Sequence, residues 1–163
     1  MKKYLSLICA MVLSVCAYGQ TPNFTPRLEF VMQLCVNISD VVRVGNIPHG
    51  HRQAIPITGG TFEGPNIKGT VLPGGADYQL SNGPRTEVEA IYNICTDDGV
   101  NIHVRNQGII CGGESGFYFY THPHFEAPAD SKYAWLNNSI FVCRIANEPY
   151  QGGVRLNVWR VCD

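Results

Sequence analysis

"TEVEAIYNIC", Thr86 to Cys95, runs through "TDDG", Thr96 to Gly99, into "VNIHVR", Val100 to Arg105. In an extended chain Thr86, Val88, Ala90, Tyr92 and Ile94 fall on one face, and Glu87, Glu89, Ile91, Asn93 and Cys95 on the other. Alternation of this kind, rich in β-branched and aromatic residues, is the signature of a strand with one face buried. Val100, Ile102 and Val104 alternate in the same way with Asn101, His103 and Arg105. Asp98-Gly99 between the two runs supplies the turn, so the segment is predicted to be an antiparallel hairpin.

Working outward, period two recurs along the chain. Further predicted strands are Leu28–Val36, Val41–Val44, Gly60–Glu63, Ile67–Leu72, Ala76–Leu80, Phe117–Thr121, Phe125–Ala127, Tyr133–Asn137, Ile140–Ile145 and Val154–Val161. Turn clusters such as "NIPHG", "PGG", "SNGP" and "EPYQGG" separate them. Short strands at regular spacing with glycine-rich corners predict an all-β sandwich or barrel. Polar residues on both faces of several strands favour a single-domain antiparallel β-barrel with a partly polar lumen, lipocalin-like in habit.

The chain has 163 residues and opens "MKKYLSLICAMVLSVCAYGQ". Lys2 and Lys3 precede an apolar run from Tyr4 to Cys16, and Ala17-Tyr18-Gly19 follows. That is the pattern of a secretory signal peptide, residues 1–19, cleaved before Gln20. The run is shorter than the roughly 20 apolar residues a spanning helix needs. Cys16 after Leu13-Ser14-Val15 raises a lipoprotein anchor as an alternative, but bulky Val15 stands where a small residue is required. The expectation is therefore an exported chain, secreted or periplasmic, with one β-barrel domain over residues 20–163 and no membrane insertion of the mature part.

The formal net charge is −1 over the whole chain, and the predicted signal carries Lys2 and Lys3 but no acid. An acidic mature chain without a basic run gives no footprint for nucleic acid or an anionic membrane surface. Of seven cysteines, Cys35, Cys95, Cys111, Cys143 and Cys162 remain after the signal. Disulfides are open to them in an oxidising compartment, but their odd number leaves at least one thiol free or paired between chains. No CxxC occurs, which argues against a zinc knuckle or a thioredoxin-type redox motif.

Several chemical motifs fail on inspection. "GPNIKGT" lacks the Gly-Lys-Ser/Thr ending of a phosphate loop. "GGESGF" around Ser115 lacks the second glycine of a nucleophile elbow. "THPHFE" places His122, His124 and Glu126 at alternate positions of one strand face, an incomplete metal set that Pro123 interrupts. No cofactor or metal is therefore assigned.

What remains is a pair of carboxylates. Asp77 stands in "TVLPGGADYQL", Thr70 to Leu80, just after Pro73, Gly74 and Gly75; Glu126 follows Phe125 in an aromatic stretch. Two carboxyl groups in different surroundings are what acid/base chemistry requires. The competing reading has Asp77 bonding turn amides and Glu126 pairing with Arg52 or Arg105. Trp135 and Asn137, two apart in "YAWLNNSIFVC", present an indole face and an amide suited to orienting a flat ligand. The candidate set is Asp77 and Glu126 as acid and base, with Arg52, Tyr78, Tyr92, Trp135 and Asn137 binding a small molecule.

These segments resemble the uncharacterised protein family 0311, domain of unknown function 3237. The resemblance rests on Arg52 to Leu80 ("RQAIPITGGTFEGPNIKGTVLPGGADYQL"), "EVEAIYNICTDDGVNIHV", "FYFYTHPHFE", "YAWLNNSIFV" and "VRLNVWRV". It implies a small antiparallel β-barrel, no general reaction, and a pocket role for Asp77. Where the family usually reads Ala-Arg-Tyr and Phe-Arg-Thr, this chain has Ala90-Ile91-Tyr92 and Phe119-Tyr120-Thr121. If those arginines hold an anionic group, this chain takes a different or neutral ligand. The segment between Gly108 and Phe117 is shortened relative to the family pattern. The sequence predicts an exported small-molecule-binding barrel, with cofactor-independent isomerase or lyase chemistry on the paired carboxylates; the alternative is a non-catalytic ligand-binding or interaction protein.

Overall fold

The structure, a computed structural model, describes residues 25–113 and 116–163. The predicted signal segment and Ser115 lie outside them. Ten strands follow in chain order: β1 Arg27–Ile38, β2 Val42–Ile47, β3 Gly50–Glu63, β4 Lys68–Val71, β5 Gly75–Asn82, β6 Arg85–Thr96, β7 Asn101–Gly113, β8 Gly116–Glu126, β9 Phe141–Ile145 and β10 Gly153–Cys162. Every pairing is antiparallel, and β1 bonds to both β10 and β3, which closes the sheet into a barrel. β4 and β5 lie end to end between β3 and β6, so the wall has eight staves, and β2 extends β3 as a flap. The predicted all-β barrel is what the chain forms.

The hairpin from Arg85 to Gly113 pairs in unbroken register from Arg85↔Cys111 to Cys95↔Asn101. Its turn closes where the Gly99 N–H donates to the Thr96 carbonyl at 2.8 Å, with Gly99 at φ +85°. Val88, Tyr92 and Ile94 face inward as the alternation requires. One end of the lumen is packed solid by Met32, Leu34, Ile94, Ile102, Val104, Phe125, Phe141 and Leu136, each at most 1% exposed. The other end is hollow.

Three local predictions are corrected. Pro73, Gly74 and Gly75 do not reverse the chain: β4 and β5 run the same way along β3, and the corner is a jog within one stave. Hydrogen bonds from Leu72 N to the Asn93 carbonyl (2.9 Å) and from Gly74 N to the Ile57 carbonyl (3.2 Å) tie the jog to both neighbours. Tyr133–Asn137 is not a strand; Ala134–Asn138 forms a 3₁₀ helix. Local bonds win there, as Ala134 N donates to the Ser131 carbonyl and Leu136 N to the Tyr133 carbonyl. Phe117–Thr121 and Phe125–Ala127 are not separate strands either, because β8 runs straight through Pro123. The missing N–H of Pro123 is tolerated because β8 pairs with β9 only at Tyr120 and Thr121, leaving that edge unpaired beyond.

Candidate functional site

The hollow end of the barrel is a cavity of about 140 Å³. Inward-facing strand positions build it: Ile55 and Ile57 from β3, Val88, Ala90 and Tyr92 from β6, with Ile110, Phe119 and Leu156 completing an apolar wall. Against that wall stand the polar groups Asp77, Gln79, Asn106 and Thr121. Asp77 is the only charged side chain among the lining residues. A preformed apolar space with a few convergent polar groups is the usual form of a small-molecule site. Its volume suits a group the size of a single six-membered ring.

The jog before β5 puts Asp77 here. Asp77 pairs with Ile55 on one side and Ala90 on the other, so its side chain shares their inward direction. Gly75 makes room for the neighbouring Tyr92: a Cβ on Gly75 would lie 2.6 Å from the Tyr92 Cβ and 2.3 Å from the Ile91 carbonyl oxygen. The glycine is needed for close approach, and the tyrosine ring fills the floor of the cavity at 4% exposure.

An amide chain orients the carboxyl group. Gln53 Nε2 donates to Gln79 Oε1 at 2.8 Å, and Gln79 Nε2 donates to Asp77 Oδ2 at 2.6 Å. Asp77 Oδ1 is buried without a hydrogen-bond partner among the described residues, as are Asn106 Oδ1 and Thr121 Oγ1. Burial raises the pKa of Asp77 above that of an ordinary carboxyl, against the opposing pull of the Gln79 amide and the Glu89 backbone. Burial likewise raises Tyr92, with Cys143 and Asp77 adding to the effect, so its hydroxyl stays neutral. The Cys143 thiol, 3.9 Å from Asn106 Nδ2, is pushed up to about 11 by burial and is protonated at neutral pH.

Of the seven residues singled out from sequence, the structure brings Asp77 and Tyr92 together and puts the other five elsewhere. Glu126 lies on the outer face of β8, 66% exposed, with His124 Nδ1 at 3.9 Å, so the expected carboxylate pair does not share the cavity. Alternation is the reason: Phe125 takes the inward position, and Glu126 must point out. Neither proposed arginine pairs with it: Arg105 Nε donates to Glu89 Oε1 at 2.7 Å, and Arg52, on the outer wall with Tyr78, makes no ion pair with Glu126 among the described residues. Trp135 packs on Phe141 at 6.1 Å at the packed end of the barrel. Asn137 replaces a ladder partner for Ala127, accepting from its N–H at 2.7 Å and donating to its carbonyl at 2.9 Å.

Gln53, Gln79, Asn106 and Thr121 were missed from sequence. Counting the inward positions Ile102 and Val104 two residues further reaches Asn106, and counting back from Phe125 reaches Thr121. A polar residue on an otherwise apolar strand face was the available signal. Ile91 and Tyr120, which replace the arginines of the family pattern, both alternate away from the cavity. No helix among the described residues is long and apolar enough to cross a membrane. No three His, Cys, Asp or Glu side chains converge as a metal site among them.

The profile of the family described as "Protein of unknown function (DUF3237)" matches residues 26–161. A UPF0311 protein of Rhodopseudomonas palustris is 39% identical over 135 residues, covering 72% of this chain and 88% of its own. The crystal structure of a protein of unknown function from the same organism superposes with a TM-score of 0.78 at 35% identity, covering 85% of this chain and 99% of its own. A "beta-barrel like protein" from Acinetobacter baumannii superposes with a TM-score of 0.78 at 28% identity, over 88% of this chain and 100% of its own. A more distant relative, 29% identical over 136 residues and covering 83% of this chain and 85% of its own, is a hydroalkoxylation enzyme of Penicillium herquei. The chain belongs to the DUF3237 family.

Proposed function

From membership of this family and the geometry of its cavity, we propose that the chain is an exported barrel that binds a small, largely apolar molecule and moves a proton on it. The observation that carries this reading is a buried carboxyl group of raised pKa, Asp77, held by an amide on one oxygen and without a partner on the other. A carboxyl group of raised pKa is a stronger base than an ordinary carboxylate, which suits it to taking a proton from a ligand and returning it. Tyr92, neutral and buried beside it, supplies a hydrogen-bond donor for an oxygen on which negative charge develops. Asn106 and Thr121 orient a second polar atom of the ligand.

Hydroalkoxylation, the reaction in the name of the Penicillium herquei relative, adds an O–H across a carbon–carbon double bond and so also delivers a proton to carbon. Here the chemistry is an isomerisation or a lyase-type addition and elimination. It runs with one carboxyl group shuttling the proton rather than with the Asp77–Glu126 pair. In an isomerisation, Asp77 removes a proton from the carbon beside a carbonyl, the enolate oxygen accepts from Tyr92, and the same carboxyl returns the proton at the far end of the shifted double bond.

The test uses 3-cyclohexenone, a single ring with one oxygen, whose conjugation to 2-cyclohexenone is followed by ultraviolet absorbance. Wild type is expected to accelerate the conversion, and Asp77→Asn to abolish it while phenol, a non-reacting probe of the cavity, still binds. An unchanged rate in Asp77→Asn refutes the proton-transfer role. Phenol binding without turnover in wild type selects the second reading, a purely ligand-binding barrel, which the same cavity also fits.

A further inference from the structure

The outer wall of the barrel carries a second hollow of about 600 Å³, larger than the interior cavity, with residues from β3, β5, β6, β7, β8 and β9. These strands are neighbours in that order. At about 4.8 Å per strand its contour along the curved wall is roughly 24 Å, so a short oligosaccharide that follows the curve can meet several of its groups. Tyr78, Tyr118 and Tyr120 line it and are 45%, 48% and 36% exposed. Tyr118 and Tyr120 lie 4.8 Å apart between centroids, tilted by 47°, and make one continuous aromatic surface. The Arg144 guanidinium, 5.7 Å from the Tyr120 ring, holds that side chain in place.

Hydrogen-bonding groups share the hollow with the rings. Glu89 Oε1 accepts from Arg105 Nε and, at 2.9 Å, from Gln107 Nε2, which fixes the carboxylate and leaves its second oxygen to accept from a ligand hydroxyl. Arg52 and His122 also line the hollow and supply donors. Arg85 pairs with Glu87 and Arg105 with Glu89, so both carboxylates are already neutralised and a cationic partner is not favoured. A ligand with apolar ring faces and many neutral hydroxyls fits this combination.

We propose that the outer wall of the barrel around Tyr78, Tyr118 and Tyr120 is a carbohydrate-binding groove, distinct from the interior cavity. Sugar C–H faces stack on the tyrosines, and hydroxyls bond to Glu89, Gln107, Arg52 and His122. The groove does not depend on Asp77 and holds whether or not the cavity is catalytic.

Calorimetric titration of the full chain with maltotriose, cellotriose and triacetylchitotriose tests it. At least one trisaccharide is expected to bind in the millimolar range or tighter. Tyr78→Ala and Tyr120→Ala are each expected to weaken that binding about tenfold without lowering the melting temperature, and Asp77→Asn to leave it unchanged. Failure of all three sugars to bind overturns the proposal. So does loss of binding in Asp77→Asn with retention in both tyrosine variants, which would move the sugar to the cavity. A change in sedimentation of the tyrosine variants without loss of sugar affinity would instead mark the groove as a contact between copies, and would also overturn it.

Discussion

Gly75→Ala sets two physical effects of opposite sign against each other at the wall of the cavity. Gly75 has no left-handed backbone angle, so alanine can adopt its conformation. The loss of unfolded-chain entropy alone would then stabilise the protein by about 0.4–1 kcal/mol. The added methyl group, however, would sit 2.3 Å from the Ile91 carbonyl oxygen, 2.6 Å from the Tyr92 Cβ and 2.9 Å from the Tyr92 Cα. Relaxed contacts lie near 3.5 Å or beyond, so β5 and β6 must part by about 1 Å where they are hydrogen-bonded to each other. None of the three clashing atoms is the free end of a flexible side chain. Overpacking of this kind costs about 1–3 kcal/mol, and contacts this short to backbone atoms put it in the upper part of that range, about 2–3 kcal/mol, which leaves a net loss of about 1–2.6 kcal/mol and a fall in melting temperature of about 2–10 °C. Tyr92 is displaced with its backbone, so phenol affinity falls as well. Urea unfolding of wild type, Gly75→Ala and the control Gly112→Ala measures it. At Gly112 a Cβ meets nothing within 4 Å, and the control is expected to be neutral or slightly stabilised. Equal stability of Gly75→Ala and wild type would refute the close-approach argument and the reason given for the glycine in "PGGADYQL".

Three further outcomes are expected. The folded-state pKa of Asp77 is raised, so the native protein holds a proton that the unfolded chain releases at its ordinary value of 3.8; stability should fall as pH rises from there through the folded value, and melting curves across that range should flatten in Asp77→Asn. Gln79→Leu removes a hydrogen bond that lowers that pKa and fixes the carboxyl group, so the acidic limb of a pH–rate profile, set by ionisation of the base, should move to higher pH, with about tenfold lower turnover and smaller loss of phenol binding. Glu126→Gln should change stability by less than about 0.5 kcal/mol and leave turnover intact, because the side chain is 66% exposed on the outer wall; a catalytic defect there would restore the two-carboxylate scheme.

Alternation read from the sequence placed Val88, Ala90, Tyr92 and Ile94 on one face, and all four point into the barrel. The same rule, applied to Glu126, already implied that Phe125 and Glu126 could not both face inward. Aromatic residues that neighbour Glu126 in sequence therefore do not surround its carboxyl group in space. Trp135 and Asn137 misled for a related reason: their two-residue spacing presumed a strand, whereas local bonds from Ser131 and Tyr133 wound the segment into a 3₁₀ helix. Gln53 and Gln79 were invisible as a pair because they are distant along the chain and meet only through the register of β3 and β5.

By itself the sequence determined the all-β class, the inward residues of the central hairpin and the family, since each depends on short-range periodicity or on matched segments. Only the tertiary structure decided that the "PGG" corner is a jog rather than a reversal, that Asp77 stands as the lone carboxyl group in the cavity, and that the arginine replacements at Ile91 and Tyr120 face outward. Closure of the sheet sets these, because strand register and the position of each bulge fix which distant side chains meet, and neither is written in any local pattern of residues.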